Sequence, residues 1–284
     1  MIAPWSYVIQ KSVVLEVFIF VCLSAVSLGS TDPDINNRTD PCAVQNKPCG
    51  LEKPGWKLTF NDEFDGNSLD MTKWSIGFPG WGADCNAPNA FPQNDHSVYE
   101  IKNGILRLVN AKRDYNDGVL KHYVCGVITT AAKFDQKYGW FEARCKMPGQ
   151  DAAFPAFWLF PFKSTYTPSA EVDIMEHIHR RGEYATCNMH WNGYGVDHQC
   201  IGTQYYHVPG IWTQFHTYAL NWQPGVMTFY VDGYPYFTYE GPQTPSVPLW
   251  IILNNGIEIW HGPIVDSALP NYFEVDYVRV YEKL

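Results

Sequence analysis

The sequence predicts an all-β protein, an antiparallel β-sandwich, and three observations carry that expectation. Short apolar runs alternate with period two, Gly, Pro, Asn and Asp punctuate them at short intervals, and no stretch keeps a clean period of 3.6 over three turns. Charged residues make up only 17% of the 284 positions while aromatics reach 16%, so the chain buries a core and is not disordered. No linker, internal repeat or low-complexity tract interrupts residues 51–284, which assigns them to a single sandwich.

The first 29 residues read as a signal peptide. Lys11 precedes the apolar stretch Val17 to Val26, and small residues at Ala25, Ser27 and Gly29 offer a cleavage site. That stretch is short for a membrane span. Residues 30–50 form an N-terminal leader, where Asn37 opens the glycosylation sequon Asn-Arg-Thr. The expected strands then follow in order: Gly104 to Val109, Tyr123 to Thr130, Tyr138 to Met147, the stretch Glu171 to Glu176, an alternating run through Tyr218, Leu220 and Trp222, and Phe273 to Tyr281. Between the last two, Met227, Phe229 and Val231 alternate with Thr228 and Tyr230, and Asp232-Gly233 turns the chain into Tyr236 to Tyr239.

A protein with 29 acidic and 20 basic residues, net charge −9 and no basic stripe is a poor partner for nucleic acid. Secretion makes the cysteines disulfide candidates. Cys42 with Cys49 and Cys187 with Cys200 are local pairs, and a turn near Asp135 would set Cys125 opposite Cys145, leaving Cys85 over; Cys85 with Cys125 is the alternative. Cys187-x-x-His190 and His198-x-Cys200 also have spacings reminiscent of a zinc site, a reading that the Cys187–Cys200 pairing sets aside.

The most informative stretch is Glu-Val-Asp-Ile-Met-Glu, 171–176. On a regular strand Glu171 and Asp173 share a face and Glu176 points the other way. One extra residue absorbed at Ile174 or Met175 returns Glu176 to their face, and such bulges are common beside active sites. Three carboxylates on one face repel one another, so the spacing suits either a solvated acidic edge, a calcium site, or double-displacement glycoside hydrolysis. In the last case Glu171 attacks the anomeric carbon, Glu176 is acid and then base, and Asp173 between them tunes both.

Glu-x-Asp-x-x-Glu resembles the active-site motif of glycoside hydrolase family 16 in its laminarinase-like form. Phe60-Asn-Asp-Glu-Phe-Asp-Gly, Tyr138-Gly-Trp-Phe-Glu-Ala-Arg, Phe154-Pro-Ala-Phe-Trp-Leu-Phe-Pro, Tyr230-Val-Asp-Gly and Val275-Asp-Tyr-Val-Arg-Val-Tyr are similar to that family's landmarks, in its order. The resemblance implies a concanavalin A-like jelly roll with a concave sugar-binding groove. It gives Glu171 as nucleophile, Asp173 as assisting acid and Glu176 as acid/base. It further implies substrate contacts for Trp158, whose indole would stack on a pyranose, for His190 beside the acid/base, and for Tyr166 and Trp260 as groove aromatics. The chemistry needs no cofactor, although a structural calcium held by Glu63 and Asp276 fits the family pattern. The sequence departs from the family at Phe154 and Trp140 and along Asn254 to Trp260, which touches subsites and not chemistry.

The function these features imply is that of a secreted, monomeric endo-β-1,3-glucanase acting on polysaccharide, with mixed β-1,3/1,4 glucan as a further substrate. A non-hydrolytic glucan-recognition protein, a transglycosylase and a galactanase of the same fold are the alternatives. Recognition proteins of this type lack one or both glutamates, and this chain has both.

Overall fold

The computed structural model describes residues 50–77, 96–116, 120–151, 153–161, 170–193, 195–202, 204–257 and 264–284. Strands are numbered in chain order. One sheet holds β1 (Trp56–Asp62), β3 (Tyr99–Lys102), β4 (Ile105–Asn116), β5 (Leu120–Val124), β7 (Gly139–Lys146), β13 (His216–Gln223), β14 (Val226–Val231), β15 (Tyr234–Glu240) and β17 (Asn271–Lys283). The other holds β2 (Ser75–Ile76), β6 (Val127–Thr129), β8 (Ala153–Pro161), β9 (Glu171–His177), β10 (Tyr184–Trp191), β11 (Gln199–Cys200), β12 (Gln204–His207) and β16 (Leu249–Ile257). Strand order is β15-β14-β13-β7-β17-β4-β3 in the first and β11-β10-β9-β8-β16-β6-β2 in the second, with every pairing antiparallel.

Alternation builds the core between the sheets. Tyr218, Leu220 and Trp222 of β13 and Met227, Phe229 and Val231 of β14 point inward from one sheet, and Phe157, Leu159, Val172 and Met189 meet them from the other. Burial of such side chains is the main stabilising term, about 1.5–3 kcal/mol for each large apolar group. The Asp232-Gly233 turn forms as expected, with φ of 50° and 78°, the left-handed pair that a two-residue hairpin requires.

Three expectations need correction. Tyr123 to Thr130 is not one strand, because the chain leaves one sheet after Val124 and enters the other at Val127. Gly126 makes the crossing, since a Cβ there would lie 2.5 Å from the Val98 carbonyl oxygen. Cys125 lies in the crossing itself and packs with Ile257, whereas Cys145 sits in β7 in the main core, so they do not bridge, and Cys145 is a free buried thiol. Cys187 is likewise free and buried: it faces Gln204 across the ladder, whereas Cys200 faces His190, so that pair does not form either. Cys125 and Cys200 are the oxidised cysteines among the described residues. Cys42, Cys49, Cys85, the sequon at Asn37 and the expected signal peptide and leader up to residue 49 lie outside the described residues.

Candidate active site

β9 carries the bulge that the carboxylate spacing demands. Against β8, Met175 faces Phe157 and Asp173 faces Trp158; against β10, Glu176 faces Thr186 and Asp173 faces Asn188. Both neighbours therefore skip Ile174, the extra residue. Ile174 and Met175 both enter the core, with exposures of 1% and 0%, which releases Glu176 to the face of Glu171 and Asp173. The site is then a set of rows across the sheet: Ala156, Glu176 and Thr186; Trp158, Asp173 and Asn188; and Glu171 beside His190.

Carboxylate oxygens of Glu171 and Asp173 and a ring nitrogen of His190 lie within 4.8 Å of one another. Asp173 is buried, Glu171 and Glu176 are partly exposed, and His190 Nε2 approaches Asp173 Oδ2 at 3.3 Å. Burial opposes charge on His190, but the contact with Asp173 and the fields of Glu171 and Glu176 outweigh it and lift the imidazole to about 9. Burial and then the Asp173 charge push Glu176 well above the ordinary carboxyl range, with Glu171 adding to the rise and His190 and Arg181 opposing it. A group so placed keeps its proton where an exposed glutamate has lost it, as a general acid must.

The supporting shell is specific. Trp158 Nε1 donates to Asn254 Oδ1 at 2.6 Å, and Asn254 Nδ2 donates to the Phe154 carbonyl at 3.2 Å. Trp158 is edge-on to Phe160, which is edge-on to Trp250, in a small apolar cluster on the outward face of this sheet. His177, next to Glu176, is wholly buried; its Nδ1 bonds the Tyr184 carbonyl at 2.8 Å and its Nε2 accepts from Trp212 Nε1 at 2.9 Å. Burial pushes its pKa down to about 4, so it stays neutral and structural.

Of the residues expected from sequence, Glu171, Asp173, Glu176, Trp158 and His190 come together here, while Tyr166 and Trp260 lie outside the described residues. Glu63 and Asp276 are each engaged by a guanidinium. Arg279 holds Glu63 through two bonds of 3.0 and 2.7 Å, and Arg144 holds Asp276 at 2.7 Å. Sequence reasoning missed Asn188, signalled only by its place two residues before His190, and Asn254, whose segment stood out as a departure without a role.

The family model for Glycosyl hydrolases family 16 matches residues 89–279. This chain belongs to glycosyl hydrolase family 16. The family 16 chain is 27% identical over 265 residues to a protein named beta-glucanase from Rhodothermus marinus, covering 84% of this chain and 90% of that one. It is 30% identical over 244 residues to a keratan-sulfate endo-1,4-beta-galactosidase from Sphingobacterium multivorum, covering 80% of this chain and 55% of that one. Among solved structures it superposes on SCLam, a non-specific endo-beta-1,3(4)-glucanase, with a TM-score of 0.71 at 26% identity, covering 84% of this chain and 95% of that one. The family 16 hydrolase is thus a jelly-roll glycosidase whose motif carboxylates occupy one face of a bulged strand.

Proposed function

We propose that this family 16 hydrolase is a secreted, retaining endo-glucanase that cleaves β-1,3 linkages, including those of mixed β-1,3/1,4 glucan. The observation that carries the reading is the Ile174 bulge, which gives Glu171, Asp173 and Glu176 one outward face beside Trp158. In the first step a Glu171 oxygen attacks the anomeric carbon while Glu176 gives its proton to the glycosidic oxygen, so the C–O bond breaks and a glycosyl ester forms. In the second, Glu176, now ionised, takes a proton from water, whose oxygen attacks the same carbon and releases Glu171. Each step inverts the anomeric carbon, and the product keeps the β configuration.

Asp173 supports both halves by keeping a negative charge next to Glu176, which favours the proton there before the first step. Trp158, fixed by Asn254, offers an indole face to a pyranose ring. The names of the glucanase relatives support glucan as the polymer. The test is sugar release from laminarin, mixed-linkage β-glucan and agarose by the wild type and by Glu171→Gln. Short oligosaccharides from laminarin, lost in the variant, are expected; laminarin binding without release from any polymer would overturn hydrolysis in favour of recognition.

A further inference from the structure

His198 stands in none of the roles assigned so far, yet it touches the site. It closes the loop after β10, a loop turned by Asn192 and Gly193 with φ of 64° and 69° and returned to the sheet by β11, where Gln199 faces Trp191 and Cys200 faces His190. Cys200 is disulfide-bonded, so His198 hangs from an anchored point although Val196 at the tip is fully exposed. His198 Nε2 lies 2.9 Å from His190 Nδ1, with ring centroids 5.0 Å apart and planes 17° from parallel. These numbers describe edge-to-edge rings and not face stacking. Two imidazoles joined nitrogen to nitrogen in one plane place their centroids about 5 Å apart, the arrangement in which an N–H points straight at its acceptor.

We propose that His198 is a positioning residue for the reaction: it accepts the Nδ1 proton of His190 and so holds His190 as an imidazolium whose Nε2 edge lies against the Asp173 carboxylate. The proposal rests on the retaining reading above for its catalytic consequence, but not for its geometry. His190 has His198 Nε2 at its Nδ1 and a carboxylate oxygen 3.3 Å from its Nε2; with two protons on His190 and one on His198, at Nδ1, the first contact is a donated hydrogen bond and the second an ion pair. The electrostatics agree. Glu171, Asp173 and Glu176 from β9 face His190 and favour its charge, while burial and then the charge of His190 lower the proton affinity of His198, keeping it the neutral acceptor. Arg181 acts on Glu176 from outside this chain of contacts. His198 thereby ties its segment to the catalytic face through one nitrogen, and the cation it steadies offsets the charge of Glu171 and Asp173 beside the protonated Glu176.

The test uses the full protein with His198→Ala and His198→Gln, the latter keeping an acceptor oxygen on a group that cannot titrate. The imidazole signals of His190 are followed by NMR against pH, in parallel with kcat and KM on laminarin. In His198→Ala the His190 midpoint should fall by about one pH unit or more from about 9. The same variant should lose roughly tenfold in kcat with KM within about twofold, and His198→Gln should restore most of both. A His190 midpoint unmoved in His198→Ala overturns the proposal whatever the activity does. A midpoint that falls equally in both variants overturns it too, by showing that the loop and not the acceptor matters. Wild-type inactivity on glucans would count against the proposed function alone, because the titration reads the contact directly.

Discussion

Replacing Asp173 by Asn removes one charge from the centre of the site and keeps the shape. His190 Nε2 lies 3.3 Å from Asp173 Oδ2. At an effective dielectric of about 20 a charge pair at that distance is worth about 5 kcal/mol. The net displacement of His190, from 6.5 to about 9, corresponds to about 3 kcal/mol, and burial accounts for the direction of the difference. Asp173 is thus the largest single influence favouring the charge of His190. In Asp173→Asn the His190 midpoint should fall by about two units, because Glu171 and Glu176 are left to oppose burial. Glu176 responds to two changes of opposite sign. Losing the Asp173 anion lowers its proton affinity and losing the His190 cation raises it, and the Asp173 influence is the larger. The alkaline limb of kcat/KM should therefore move to lower pH, with kcat down roughly 10- to 100-fold. The assay is a pH–rate profile on laminarin beside NMR titration of the histidines. An alkaline limb that stays in place or moves upward would refute the assignment of Asp173 as the group that keeps Glu176 protonated.

Deleting Ile174 should restore period two and turn Glu176 toward the core, abolishing activity and displacing Met175, whose burial is worth about 1.5–3 kcal/mol; Ile174→Ala, which keeps the bulge, should lower Tm yet retain activity per folded molecule. Two buried histidines set opposite stability slopes. His177, depressed to about 4, contributes about 3 kcal/mol above pH 6.5 that is lost as pH falls toward 4, whereas His190, raised to about 9, contributes about 3 kcal/mol below pH 6.5 that is lost as pH rises through 9. Chemical denaturation of His177→Gln against pH should accordingly show a flatter acid side than the wild type, and an unchanged acid slope would contradict this. Asn254→Ala frees the Trp158 indole N–H, so KM for laminarin should rise severalfold, roughly 1 kcal/mol of binding, with kcat little changed.

What could be read in advance followed from chemistry that repeats locally. Alternation marked β13, β14 and β17, and the Asp232-Gly233 pair marked its hairpin, because side-chain period and positive φ are properties of neighbouring residues. The bulge was legible for a different reason: three acids at that spacing make chemical sense only on one face. The break between β5 and β6 was not legible, since the apolar run through Cys125 looks continuous and the atoms that crowd Gly126, from Val98, Leu108 and Val109, are distant in sequence. The Cys125–Cys145 pairing failed on the same point, as it assumed a hairpin where the chain changes sheets, and Cys187–Cys200 failed on the register of β10 with β11 and β12. The ion pairs of Glu63 with Arg279 and of Asp276 with Arg144 were not legible either, because sheet pairing and not sequence spacing brings them together. His198 stood out in the sequence only through its zinc-like spacing with His190, because the hydrogen bond between them depends on how one loop closes.

The central claim is that the bulge on β9 assembles a double-displacement site in which Glu171 forms a glycosyl ester and Glu176 moves the proton. Proton NMR of the anomeric region during the first minutes of laminarin hydrolysis tests it most directly. The account predicts that the β anomer appears first and only then mutarotates, and that Glu171→Gln releases nothing. An α anomer appearing first would mean single displacement by water and would contradict the role given to Glu171.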